Sequence, residues 1–341
     1  MKINNNKGKI IMNKITKAGL TALAGSLVAV SAQAVEMSVA GSAKLTYHQG
    51  HATETTGNPY GMNTSLAFTG SGEVNGYDAS LTIIQNDANS GLSSAVMSVD
   101  LADLGKITFD QGTGAGGIST IDDKTPTAAE EVWDGLDATT GVGNGLVGMG
   151  NAGAFVYANS LMDMNLSLQY AKGNRVSNSD DAVSGGHGGS SWDFALTNNT
   201  LVEGLDAGFG YGEVSNAGAG ANGSDTDVHA VVYANYSMGM VTAGYSVAEV
   251  NKGSTGSVGE QANAFGIAVN INDNLSISYG EREIEHTKAS AAHVTEDIEG
   301  FAIAYTMGAA KITAQNNETT NNGGTLAVND ETTQIALSLS F

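Results

Sequence analysis

The chain ends with the stretch Gln334–Phe341, which reads QIALSLSF. Apolar side chains alternate there with Gln, Ala and Ser, and the apolar positions are Ile335, Leu337, Leu339 and Phe341. Successive side chains of a β-strand point to opposite faces, so the alternation predicts a strand with one apolar face and one polar face. Because chain termini are poorly ordered unless something ties them down, a regular strand at this end predicts pairing on both of its edges.

The same two-residue alternation recurs along the chain from Glu36 onward. In EMSVAGSAKLTYH, which begins at Glu36, the apolar side chains of Val39 and Leu45 fall on one face, and Ser42 and Lys44 fall on the other. Comparable stretches follow until the C-terminus, and together they predict sixteen strands.

The connections between these stretches alternate between short and long. Tight joints are predicted at Asn75-Gly76 and at Ser160-Leu161, and Asn-Gly is the strongest short hairpin signal. Polar loops lie between the tight joints, and the longest spans about residues 111–150. An all-β, antiparallel up-and-down barrel with an even number of strands has this arrangement, and closure removes both sheet edges.

The placement of charge indicates which face of such a barrel is outside. The strand cations Lys44, Lys106, Arg282 and Lys311 all fall on the polar face, which makes them candidate pore-wall residues. In a membrane barrel the apolar face contacts lipid and the polar face borders a wet interior, and Lys or Arg at the bilayer midplane costs about 2–4 kcal/mol. Aromatic residues near strand ends fit the two girdles that a barrel places at the membrane–water interfaces. At the end with the long external loops these are Tyr47, Phe109, Tyr170 and Tyr211, and at the end with the short turns they are Tyr305 and Phe341.

The first 34 residues have the pattern of a secretory signal. Lysines precede an apolar stretch from Ala18 to Val30, and Ala32 and Ala34 supply the small side chains of a cleavage site after Ala34. The barrel is therefore expected to span residues 35–341. Either Met1 or Met12 can be the start of translation.

Composition excludes several classes of function. The signal segment holds five of the 14 Lys and Arg and none of the 35 Asp and Glu, so the mature chain has a formal charge of −26. Nucleic-acid binding needs a basic face and is not expected. The chain has no cysteine, no nucleophile elbow and no convincing βαβ helix behind its G-x-G-x-x-G stretches, so we expect neither an enzyme nor a bound cofactor or metal.

The alternating strands, the Ala-x-Ala signal, the mature start VEMSVAGSAKLTY, the long third external loop and the terminal SLSF together resemble the general diffusion porins of Gram-negative outer membranes. The resemblance implies a homotrimer of 16-stranded barrels in contact with outer-membrane lipid and lipopolysaccharide. Each barrel is expected to pass small hydrophilic solutes and ions, and the third loop is expected to fold inward and narrow the pore. The resemblance also implies that Phe341 is a signal for the outer-membrane assembly machinery.

The long third loop is strongly acidic. Its candidate constriction residues are Asp122, Asp123, Lys124, Glu130, Glu131, Asp134 and Asp137. Carboxylates at a constriction favour cations and repel anions. The stretch TAAEEVWDGL is expected to form a short helix with Thr127 as its N-cap and Glu130 at the capping-box position. The porin family usually opposes the loop with an arginine cluster, from which this chain departs, and Lys44 and Lys106 are the nearest substitutes; we therefore expect a cation-preferring pore.

Three alternatives remain open from the sequence. A substrate-selective porin would show saturable transport, and an outer-membrane barrel that acts as an adhesin or enzyme would not conduct. A secreted glycine-rich β-protein would not enter a membrane. The acidic loop is also open to calcium binding, because hard cations want several oxygen ligands, although no EF-hand spacing is present.

Overall fold

A computed structural model describes residues 36–50, 57–86, 92–112, 116–136, 152–172, 190–215, 226–253, 259–287 and 293–341. The expected signal segment, with Ala32 and Ala34, lies outside the described residues, and so does Asp137. No helix in the described part of the chain is long and apolar enough to cross a membrane.

Sixteen strands form one closed antiparallel barrel, and each strand pairs with its neighbours in the sequence. The strands are β1 (Glu36–Gly50), β2 (Tyr60–Val74), β3 (Tyr77–Asn86), β4 (Leu92–Asp100), β5 (Lys106–Gln111), β6 (Ala152–Leu161), β7 (Met164–Lys172), β8 (Ser190–Asn198), β9 (Leu205–Ser215), β10 (Thr226–Met238), β11 (Val241–Asn251), β12 (Gly259–Asn270), β13 (Leu275–Thr287), β14 (Val294–Met307), β15 (Ala310–Thr320) and β16 (Asp330–Ser340). The sixteen strands predicted from the alternation are confirmed.

The C-terminal strand closes the barrel. β16 pairs with β15 on one edge and with β1 on the other, where Leu337 lies opposite Leu45 and Ser338 lies opposite Lys44. The backbone of Phe341 exchanges two hydrogen bonds with Gly41, at 2.7 and 3.0 Å. The alternation at the end of the chain is therefore explained by pairing on both edges, since no backbone row is left unpaired.

The tight turns are governed by positive φ angles. Asn75 (φ 54°) and Gly76 (φ 86°) both adopt left-handed conformations, as a two-residue hairpin loop of type I′ requires. The turn predicted at Ser160-Leu161 lies instead at Met162 and Asp163, because β6 continues to Leu161 and these two residues have φ angles of 50° and 64°.

Two faces alternate along every strand. On β14, Phe301 is 51% exposed while its neighbour Ala302 is 5% exposed. Aromatic side chains follow the exposed face from strand to strand, and Phe109, Phe155, Tyr170 and Trp192 are consecutive partners across β5 to β8. We call the face that carries Lys44 and Ser338 the inner face, since the two residues are register partners on the polar side of β1 and β16.

Candidate functional site: the 116–136 segment and the inner face

The described part of the long third loop, residues 116–136, contacts the inner face at its first residues. The backbone N–H of Gly117 donates to Ser167 Oγ on β7 at 2.8 Å, and the N–H of Ile118 donates to Asp193 Oδ1 on β8 at 2.7 Å. Gln169 Nε2 donates to the other oxygen of Asp193 at 3.1 Å. Asp193 is 1% exposed, so its carboxylate is a buried acceptor whose oxygens both have partners.

An apolar cluster holds the next residues. Ile118 and Ile121 are almost completely buried and pack with Ala195 of β8 and with Val231 and Tyr233 of β10. Such burial is unusual for an external loop, because loops normally run over the surface of a protein. These side chains therefore bind the segment to the wall through apolar burial as well as through hydrogen bonds.

The middle and end of the segment are bound through its backbone. Asn235 Nδ2 on β10 donates to the carbonyl of Lys124 at 2.6 Å, and the N–H of Ala128 donates to Ser278 Oγ on β13 at 2.8 Å. On β15, Asn317 Nδ2 donates to the carbonyl of Asp134 at 2.8 Å. Backbone groups that have no partner within the segment are thus satisfied by side chains of the inner face.

The prediction of a helix in TAAEEVWDGL is wrong. Residues 127–136 form bends and turns, and the hydroxyl of Thr127 donates to the carbonyl of Glu130 at 2.7 Å instead of capping a helix. The N–H of Glu130 donates to Gln315 Oε1 on β15 at 3.3 Å. A helix would have paired the carbonyl of Glu130 with the N–H of Asp134, but that N–H donates to the carbonyl of Glu131 at 3.0 Å, and tertiary contacts here override local propensity.

The acidic residues of the segment form two groups, and the first lies near Arg282. The carboxyl groups of Asp122, Asp123 and Glu131 all lie within electrostatic range of the guanidinium of Arg282. Burial raises the pKa of Asp122 to about 6. Burial and the negative charge of Asp123 raise the pKa of Glu131 to about 8, and burial raises the pKa of Asp123 as well. Glu131 is therefore largely protonated at neutral pH and donates a hydrogen bond to the Asp123 carboxylate.

The second acidic group lies near Lys44. Lys44 Nζ is 3.0 Å from Glu130 Oε1, and both side chains are partly exposed. Asp134 Oδ2 accepts a hydrogen bond from Gln315 Nε2 at 3.0 Å. Burial raises the pKa of Asp134, while the charge of Lys44 opposes that shift. Lys44 is thus in direct contact with the segment and partly neutralises its charge.

The four candidate wall cations all lie on the inner face, in different surroundings. Arg282 is 3% exposed, and its guanidinium carbon lies 4.1 Å from the ring centroid of Trp133, within the range of a cation–π contact. Lys106 is exposed and pairs across the strands with Asp100 and Ala158. Lys311 lies near the start of β15, and its register partner on β16 is Ser338. The carbonyl of Lys124 binds the wall, as described above, and its side chain is half-buried.

The residues that hold the segment were not singled out from the sequence. The alternation along each strand puts all of them on the polar face, so their inward orientation was predictable from the sequence. These residues are Asp193, Asn235, Ser278, Gln315 and Asn317. Their partners in the loop were not predictable, because contacts between a loop and a strand leave no repeating pattern in the sequence. No group of three His, Asp or Glu side chains within the described ranges is arranged to hold a metal ion.

Comparisons of sequence give no relative: no protein-family profile matches the chain, and no curated protein matches it. Comparison with solved structures finds many similar barrels. OmpF of Salmonella typhi, in a complex with daunomycin, is 12% identical, with a TM-score of 0.64 and coverage of 89% of this chain and 97% of that chain.

Two further structures are similar over nearly their whole length. The anion-selective porin of Comamonas acidovorans is 10% identical, with a TM-score of 0.62 and coverage of 90% of this chain and all of that chain. A loop-deletion variant of OmpT, an outer membrane protein of Vibrio cholerae, is 12% identical, with a TM-score of 0.63 and the same coverage. At these identities the likeness establishes the fold alone: the closed 16-stranded barrel of this chain is similar to the folds of these outer-membrane proteins.

Proposed function

We propose that this chain, whose barrel has the 16-stranded fold of the outer-membrane porins, forms a water-filled channel in the bacterial outer membrane. Small hydrophilic solutes and ions cross it by passive diffusion, and no covalent chemistry takes place. The apolar outer face borders lipid and lipopolysaccharide, and the inner face borders water. The signal segment 1–34 directs export and is removed by cleavage after Ala34, and three barrels assemble into a homotrimer.

The observation that carries this proposal is the set of partners of residues 116–136. The segment hydrogen-bonds to inner-face side chains on β7, β8, β10, β13 and β15, and it forms an ion pair with Lys44 on β1. Strands so far apart around a barrel can share one segment only if that segment lies inside the barrel. We infer that the segment narrows the lumen, and we call it the constriction segment.

Cation preference follows from the charges that the constriction segment carries. Six of the candidate constriction residues lie in the described range, and only Lys124 among them is basic. Arg282, the only arginine on a described strand, is buried against Trp133 and Lys44 is paired with Glu130. Of the four wall cations only Lys106 and Lys311 are thus left to balance the acids of the segment, so we expect the pore to favour cations and repel anions.

Planar bilayers provide the test. The purified chain should insert in three equal conductance steps, and the reversal potential across a KCl gradient should have the sign of a cation-preferring pore. Saturable transport of one solute would favour a substrate-selective porin. Absence of conductance from correctly folded, heat-modifiable protein would favour an adhesin or an enzyme and would refute the channel.

A further inference from the structure

Four glycines form one continuous row on the inner face. Gly244 of β11 pairs with Gly266 of β12, Gly266 pairs with Gly280 of β13, and Gly280 pairs with Gly300 of β14. Neighbouring strands are about 4.8 Å apart, so three strand spacings make the row roughly 14 Å long. Because none of these residues has a side chain, the wall has a shallow depression here, which we call the glycine trough (Gly244, Gly266, Gly280 and Gly300).

The constriction segment fills the glycine trough. A Cβ atom placed on Gly266 would lie 2.7 Å from the carbonyl oxygen of Pro126, and one placed on Gly280 would lie 2.8 Å from Val132 Cγ1. Both distances are too short for real carbon contacts, so neither position accepts a side chain while the segment keeps its place. At Gly266 the obstacle is backbone, which cannot rotate away as a flexible side chain can.

Two asparagines continue the row at its ends. Asn235 of β10 is the register partner of Gly244, and Asn317 of β15 is the register partner of Gly300. Their side-chain amides donate to the carbonyls of Lys124 and Asp134, on either side of the stretch that fills the trough. Six consecutive strands thus present an Asn, four Gly and an Asn at one level, with a hydrogen-bonded anchor at each end.

We propose that the glycine trough and its two asparagines position the constriction segment against the β10–β15 wall and thereby set the width of the pore. This inference rests on the proposed channel and adds what determines its aperture. The trough has no role in closing the barrel, since the backbone pairing of β11 to β14 needs no glycine. Among the described residues, Pro126 and Val132 of the segment occupy the space that side chains at Gly266 and Gly280 would take, so these two glycines act as positioning residues.

The wall across the barrel from the trough carries hydroxyl and charged side chains. A cavity of about 510 Å³ lies at the opposite wall and is lined by residues of β1 to β5, including Ser71, Ser80 and Ser98. The hydroxyls of Ser80 and Ser98 are hydrogen-bonded at 2.8 Å, and those of Thr69 and Thr82 at 2.9 Å. The lining also carries Glu73, Asp78, Asp100 and Lys106, so it can exchange hydrogen bonds with hydrated ions and with polar solutes.

The first test replaces Gly266 in the full-length trimer. Gly266→Ala and Gly266→Val should displace the segment toward the open wall, and we expect the single-channel conductance of Gly266→Val to fall by roughly twofold, because overpacked groups must move their neighbours. Gly70→Ala and Gly70→Val are the matched controls, since Gly70 lies mid-strand on the outer face of β2 with no atom within 4 Å of its missing Cβ. Equal conductance of the Gly266 and Gly70 variants, with heat-modifiable trimers in both, would overturn the inference.

A second test does not depend on tolerance of a larger residue at the trough. The chain has no cysteine, so Ser80→Cys and Ser278→Cys each provide one thiol on the inner face. Ser278 is 6% exposed beneath the segment, and its thiol should react with a cationic methanethiosulfonate roughly tenfold more slowly than that of Ser80→Cys, because reaction needs local opening. Equal rates would overturn the proposed position. Labelling is followed by mass spectrometry on trimers in liposomes, so this test stands even if the parent protein proves not to conduct.

Discussion

The cation preference of the channel should increase as the pH is raised from 7 to 9. Glu131 is the reason, because burial and the neighbouring charge of Asp123 raise the pKa of its carboxyl to about 8. A carboxyl group with a raised pKa is neutral below that pH and ionised above it. The ionised fraction of Glu131 therefore rises from about 10% at pH 7 to about 90% at pH 9, two pH units that bracket its pKa.

The size of the effect follows from Coulomb's law. One added charge about 5 Å from a passing cation contributes about 0.8 kcal/mol at the dielectric constant of water. That energy corresponds to about a fourfold change in local cation concentration, which screening at about 0.1 M salt reduces to roughly two- to threefold. The same charge lowers the local anion concentration by a similar factor, so we expect the ratio of cation to anion permeability to rise by roughly four- to ninefold.

The assay is the reversal potential across a KCl gradient, measured at pH 5, 6, 7, 8 and 9 for the parent and for Glu131→Gln. The Gln variant should lose the rise between pH 7 and 9 and keep a smaller rise between pH 5 and 7, since burial raises the pKa of Asp122 only to about 6. A flat permeability ratio in the parent from pH 7 to 9 would refute the reasoning, and so would an unchanged rise in Glu131→Gln.

Three other changes test separate contacts. Lys44→Glu replaces the ion pair with Glu130 by a repulsion, so it should raise cation selectivity, whereas Lys44→Met should raise it less; a shift toward anions in reversal-potential measurements would contradict this. Asp193→Asn weakens the charged acceptor for the N–H of Ile118, so single-channel recordings should show more open-channel noise at unchanged trimer yield; noise equal to that of the parent would count against an anchoring role. Phe341→Ala removes an exposed terminal ring, so the fraction of heat-modifiable barrel in outer-membrane preparations should fall; full assembly would exclude the proposed signal.

The barrel was predictable because its signal is periodic. Each strand alternates between lipid-compatible and polar side chains, and a one-residue slip would expose the wrong face along its whole length. Leu337 and Ser338 therefore indicate their faces from sequence alone. The turn at Met162 and Asp163 lies two residues after the predicted position, because positive φ angles define it and the composition of the sequence does not show where they occur.

The constriction segment was predictable only as an acidic loop. The prediction of a helix there was wrong because the carbonyl of Glu130 accepts from Thr127 Oγ1 and the N–H of Asp134 donates to the carbonyl of Glu131, whereas a helix would have paired these two groups with each other. The glycine trough is partly visible in the sequence, since the alternation places Gly266 and Gly280 on the polar faces of successive strands. Recognising it requires the strand register, which depends on pairing across the sheet and cannot be seen within any single strand.

Adjacent labels on the closing strand test the central claim, that the polar face of this barrel borders water and the apolar face borders lipid. Leu337→Cys and Ser338→Cys place spin labels one residue apart on opposite faces of β16, and Leu45→Cys and Lys44→Cys repeat the pair on β1. In liposomes, the labels at Leu337 and Leu45 should relax with oxygen and not with a water-soluble nickel chelate, and those at Ser338 and Lys44 should do the opposite. Nickel accessibility at Leu337 together with oxygen accessibility at Ser338 would mean that the faces are reversed, and the channel would be excluded.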